Sequence, residues 1–94
     1  MAAIEKLVRR MRNSPAGVRY DEVVRVLLAL GWVPFPGGDG SHQRFDAPGG
    51  GRFMVVVRPH GRRRHVSPRA VTEVLLAWDA SRPERGGTEN RDAE

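Results

Sequence analysis

Gly40-Ser41-His42-Gln43-Arg44-Phe45 delivers a histidine from a glycine turn and sets an arginine two positions later. Residues two apart on a β-strand share a face, so an extended backbone here puts His42, Arg44 and Asp46 on one side and Gln43, Phe45 and Ala47 on the other. An imidazole with an ordinary pKa near ~6.5 gives or takes a proton at neutral pH, and a guanidinium offers a planar fork to a phosphate. Together they suit proton transfer at a phosphodiester. The same spacing also fits a solvent-facing histidine that merely alternates with polar neighbours, and spacing alone favours that plainer reading.

A second cluster lies sixteen positions on. Arg58-Pro59-His60-Gly61-Arg62-Arg63-Arg64-His65 carries four Arg and two His and no acidic residue. Solvated charge runs usually mix signs, so an anionic ligand is favoured over a plain surface run. Ser67-Pro68 follows, an N-cap residue and a proline at the first helical position. The free amides and dipole of that helix start favour negative charge beside the arginines, which makes nucleic acid the natural partner. His42, His60 and His65 are the only histidines, and with Asp39 or Asp46 they could nominally supply a zinc shell. None has tight ligand spacing, so no metal is expected, and no glycine-rich nucleotide loop or paired-carboxylate arrangement appears either. The expectation is a site without cofactor.

Composition narrows the classes further. The chain has 94 residues, no cysteine, 16 Lys or Arg against 11 Asp or Glu, a net charge of +5 and a pI near 11.2. Fifteen of the cations are Arg and only Lys6 is lysine. That bias can come from genome composition, so it does not by itself argue bidentate phosphate contacts everywhere. Without cysteine there are no disulfides, thiolate catalysis or iron–sulfur clusters, which fits a reducing compartment. The longest apolar run, Val26 to Phe35, contains a Gly and a Pro and is too short for a membrane span. Glu5 interrupts what would be the apolar region of a signal peptide, so a cytoplasmic protein is expected. Charge is also unevenly placed. Residues 79–94 hold three Arg and five acidic residues, a net of −2, and residues 1–78 hold thirteen cations and six acidic residues, a net of +7. A basic body with a disordered acidic tail over 79–94 is expected.

The elements that must position the two clusters follow from periodicity. Ile4, Leu7, Val8 and Met11 make one helical stripe over about 3–12, stopped by Asn13-Ser14-Pro15-Ala16-Gly17. Asp21 and Glu22 suit a first turn, Val23, Val24, Leu27, Leu28 and Leu30 an apolar face, and Gly31 a C-terminal stop, predicting a helix over 20–30. Trp32 to Phe35 reads as a short strand, which Pro34 and Pro36 assign to an edge. Strands are expected over 41–47 and 52–57, joined through Pro48-Gly49-Gly50-Gly51. The Val-rich second of these, nearly continuous in apolar residues, reads as the central strand of the sheet. Val71, Val74, Leu75 and Trp78 predict a last helix over 68–78. The expected class is α+β, a helix, a three-stranded antiparallel meander and a helix, with an extra N-terminal helix and linker over 1–17.

The ordered strings carry a resemblance. Val23 to Trp32, then Gly-Ser-His with an aromatic three residues on, then a Val-rich strand, a His-containing basic loop and Val66-Ser67-Pro68 resemble the HicA toxins of bacterial type II toxin–antitoxin modules. The resemblance spans about residues 18–78, and its most specific piece is Gly40-Ser41-His42 in that context. It implies a fold similar to double-stranded-RNA-binding domains, with the helices covering one sheet face. It implies an mRNA interferase, an endoribonuclease neutralised by a HicB-like antitoxin that covers the active site, with the family's catalytic His falling on His42; general acid–base work by that His would make the cleavage metal-independent. RNA contacts are then expected from Ser41, Arg44, Arg58, His60, Arg62, Arg63, Arg64 and His65. Gly38-Asp39 stands where family members often carry a Lys or Arg before the motif. Two other functions fit the same residues: a non-catalytic RNA-binding module of this fold, and an interaction domain that takes an acidic protein through its arginine loop.

Overall fold

A computed structural model describes residues 2–37 and 40–81. Its elements run α1 (Ala2–Asn13), a single 3-10 turn (Pro15–Gly17), α2 (Tyr20–Ala29), β1 (Val33–Pro34), β2 (His42–Asp46), β3 (Phe53–Val57) and α3 (Pro68–Ala80). The architecture is α+β, consistent with a double-stranded-RNA-binding-like fold. No described helix is long and apolar enough to cross a membrane.

Helix ends are set by local chemistry. The Arg19 amide donates to Glu22 Oε1 at 2.9 Å, which satisfies an otherwise orphaned donor where α2 begins. At the other end Gly31 adopts φ +89°, its N–H donating to the Leu28 carbonyl and the Trp32 N–H to the Leu27 carbonyl, both at 3.0 Å. That pair of bonds is a Schellman stop, and the left-handed backbone it needs is why glycine occupies the position. It turns the chain directly into β1. Ser67 caps α3 as its sequence predicts, its Oγ accepting from the Ala70 amide at 3.2 Å with Pro68 at the first helical position. Helix α3 continues past the expected end to Ala80, and Asp79 on its last turn pairs with Arg12 of α1. The rest of the expected acidic tail, and the Gly38-Asp39 departure, lie outside the described residues.

The sheet is antiparallel in the order β1-β2-β3. His42 pairs with Val57, Arg44 with Val55 and Asp46 with Phe53 across β2 and β3, while Val33 pairs with Asp46 across β1 and β2. The central strand is therefore β2, correcting the reading of the Val-rich run, and β3 is an edge. Two successive hairpins force the middle strand in sequence into the middle of the sheet. The apolar continuity of β3 has another cause. Val56 is fully buried against the helices, whereas Phe53, Val55 and Val57 are exposed on the opposite face.

All three helices share one core with the inner sheet face. Leu7, Val8 and Met11 of α1, Val23, Val26 and Leu27 of α2, and Val71, Val74 and Trp78 of α3 cluster with Phe45 and Val56. Helix α1 is thus part of the folding unit. It is held to α2 by an ion pair between Arg10 and Glu22. Burial pushes the Glu22 carboxyl upward, but the Arg19 amide, the Arg10 hydrogen bond and the two guanidinium charges outweigh it and leave it below the usual carboxylate range.

Candidate functional site

Strand alternation carries out the division expected of β2. Phe45 is buried, and His42, Arg44 and Asp46 lie on the outer face. His42 opens the strand and is exposed, with its Nδ1 3.2 Å from Ser41 Oγ. Arg44 Nε donates to Asp46 Oδ1 at 2.8 Å, which fixes the plane of the guanidinium. The arginine lies between two rings, its Cζ 4.5 Å from the Phe35 centroid and 4.3 Å from that of Phe53. Arginine over an aromatic face is attractive at these separations. Sequence reasoning passed over both phenylalanines. The missed signal was parity: an edge strand buries one side only, so Phe53, Val55 and Val57 had to stand outside once Val56 faced in.

The arginine loop is tied down at both ends. At its start the Arg58 amide donates to the Ser41 carbonyl at 2.7 Å. The Arg58 guanidinium turns back toward the histidine turn, donating to the Gly40 carbonyl at 3.1 Å and to Gln43 Oε1 at 3.2 Å, with its Cζ 5.2 Å from the Tyr20 ring centroid. At its far end Val66 N–H donates to the Val18 carbonyl at 2.9 Å, beside a backbone bridge between Arg19 and His65. Between these anchors the chain turns at Gly61, φ +61°, with the Arg63 amide bonded to the His60 carbonyl.

Two open hollows meet under this loop. Arg62, Arg63, Arg64 and His65 line the first, of about 490 Å³, together with Ser67 and Pro68 at the start of α3. His60, Arg63 and His65 line the second, of about 180 Å³, together with Val57, Pro59 and Ser67. Val57 is the cross-strand partner of His42, so the second hollow begins next to the strand pair that carries the histidine. The structure thus brings two groups together. Ser41, His42 and Arg58 come together at the start of β2, Arg44 lies further along the same strand between Phe35 and Phe53, and His60, Arg62, Arg63, Arg64 and His65 line the hollows at the α3 N-terminus. Arg58 belongs to the first group through its hydrogen bonds, although it opens the loop in sequence.

Among the described residues, no group of three or more His, Asp or Glu side chains comes together in a way that could hold a metal ion. The three histidines are divided between the two groups. What the arrangement can do chemically is accept a proton at an exposed imidazole on the same sheet face as a fixed guanidinium, with a bank of cations in the adjoining loop for a charged chain.

The family model described as HicA toxin of bacterial toxin-antitoxin matches residues 20–75, from the first residue of α2 to within a few residues of the end of α3. That span takes in both clusters and leaves α1 outside. Neither the curated proteins nor the solved structures yield a match to the chain.

Proposed function

The chain belongs to the HicA toxins of bacterial toxin–antitoxin systems, and from that premise we propose that it is an endoribonuclease that cuts mRNA with His42 as its general base. The observation that carries this reading is the exposed His42 at the mouth of β2, with Ser41 on its Nδ1 and Arg44 on the same sheet face. With the ring proton on Nδ1 and donated to Ser41 Oγ, Nε2 is the basic nitrogen. It takes the proton of a ribose 2′-OH. The 2′-oxygen then bonds to the adjacent phosphorus, the bond to the 5′-oxygen breaks, and the products are a 2′,3′-cyclic phosphate and a 5′-hydroxyl. A proton for the leaving oxygen comes from the imidazolium or from water. Charge building on the phosphorane is met by Arg44 or by an arginine of the loop, a preorganised electrostatic contribution. Arg62, Arg63 and Arg64 hold the RNA backbone, with Ser41, His60 and His65 as further contacts. A positioned acid–base group contributes about 10² to 10⁴ in rate, which suits a toxin that needs few cuts per message. No metal enters this scheme.

The partner is a HicB-like antitoxin that covers the same basic surface. Support for it comes from the family, whose description names a toxin–antitoxin system.

The test is cleavage of a long RNA by purified protein with and without EDTA. Cleavage that persists in EDTA, leaves cyclic phosphate ends and vanishes in His42→Ala is expected. Equal cleavage by His42→Ala overturns the assignment, and binding without any product returns the chain to a non-catalytic RNA-binding module.

A further inference from the structure

The outer sheet face carries more apolar surface than a nuclease site needs. Val33, Phe35, Phe53, Val55 and Val57 are all exposed there, Phe35 at 42% and Phe53 at 59%. Monomeric proteins seldom leave such residues contiguous without a use for them. The middle of this face is not apolar. Arg44 lies between the two phenylalanine rings, and Asp46 holds its guanidinium by a 2.8 Å bond. The result is a built row of three flat groups, ring, guanidinium and ring, anchored on all three strands or their ends.

From this arrangement we infer that Phe35, Arg44 and Phe53 form a stacking platform for unpaired bases, so that the site selects single-stranded over double-stranded RNA. This deepens the RNA-cleavage reading and rests on its assignment of the outer sheet face to substrate. Three observations carry it. Bases stack on aromatic faces, and the Phe35 and Phe53 rings stay exposed although the Arg44 guanidinium lies over each of them. Charge complementarity points to a polyanion, since residues 1–78 carry a net of +7 and the loop next to this face has no acidic residue. Spacing fits as well. Arg44 and His42 are two residues apart on one face of β2, about 6.5–7 Å along the strand, comparable to one step between neighbouring nucleotides of an extended chain. A base held at the platform therefore sets its neighbour's ribose near the histidine. A duplex keeps its bases stacked on one another and cannot engage the rings.

The full chain should be titrated with labelled, uncleavable 2′-O-methyl RNA octamers in single-stranded form, with an abasic strand of equal length and charge, and with the matching duplex. The base-bearing single strand is expected to bind about tenfold or more tightly than the abasic strand, the range that base–aromatic stacking supports. In the double variant Phe35→Leu/Phe53→Leu, which keeps apolar bulk but removes the rings, that preference should collapse while abasic-strand and duplex affinities stay at wild-type values. Equal binding of base-bearing and abasic strands by wild-type protein overturns the inference, and needs no variant to fold. So does a double variant that keeps the preference or loses all three ligands alike. A double variant that binds RNA normally but no longer binds a co-expressed antitoxin also overturns it and assigns the face to a protein. The nuclease and the platform fail separately: a chain that discriminates bases but cuts nothing keeps the platform, and one that cuts RNA without discriminating keeps only the nuclease.

Discussion

Arg58 donates from Nη1 to the carbonyl oxygen of Gly40 at 3.1 Å, so the first arginine of the basic loop holds the turn that leads into His42. Its second donor group reaches Gln43 Oε1, the side chain immediately after the histidine. The two hydrogen bonds bracket His42 in the chain, and the Arg58 amide adds a third tie to the Ser41 carbonyl.

Arg58 should therefore act as a positioning residue for His42. Arg58→Ala is expected to lower kcat about tenfold while leaving the unfolding midpoint within a degree or two, because exposed polar contacts contribute little to stability and misplacement of a base costs rate. Arg58→Lys retains charge but not the two-pronged geometry, and should recover RNA affinity more than kcat. A variant that loses affinity alone would make Arg58 a backbone contact instead.

Arg62, Arg63 and Arg64 should set the salt dependence of RNA binding. Replacing all three with Ala is expected to reduce the slope of log affinity against log salt by up to about two, since each phosphate contact on a single strand adds roughly 0.7. The loss should be similar for unrelated RNA sequences. An unchanged slope would place the phosphate contacts elsewhere.

Glu22 should make folding sensitive to acid. Its carboxyl titrates below the ordinary value near 4.5 in the folded chain, so its contribution is present above that value and is lost as pH falls through the lower folded value. Glu22→Gln is expected to lower stability by about 1–2 kcal/mol at neutral pH, a figure discounted because the Arg10 end of the pair is exposed. Denaturant unfolding of both proteins should show the difference shrinking below about pH 4.5. A constant difference across that range would mean that the carboxylate charge is not what stabilises.

Met11 should be a core residue in spite of lying outside the region shared with the family. Met11→Ala is expected to destabilise by about 2–5 kcal/mol, as for other large apolar side chains emptied from a packed interior. A loss below 1 kcal/mol in chemical denaturation would make α1 an appendage.

How much of this was legible in the sequence varies with the range of the interaction involved. Helix α2 is stopped ahead of Gly31 and α3 is capped by Ser67 because capping is decided by neighbours within a few residues, and both signals could be read directly. Alternation along β2 put His42 and Arg44 on one face and Phe45 in the core for the same reason. The family match over residues 20–75 covers these same ordered strings. Position in the sheet was not legible from apolar content, because a run such as Phe53–Val57 looks the same whether both faces are buried or one is left bare.

Residue type and local spacing thus determined by themselves the α+β order, the basic loop and the candidate histidine, since each depends on chemistry carried within a few positions. Only the tertiary structure decided that Phe35 and Phe53, eighteen residues apart, flank Arg44, and that Arg58 turns from its loop to Gly40. Those contacts depend on strand order and register, which the packing of the whole chain settles and no short stretch encodes.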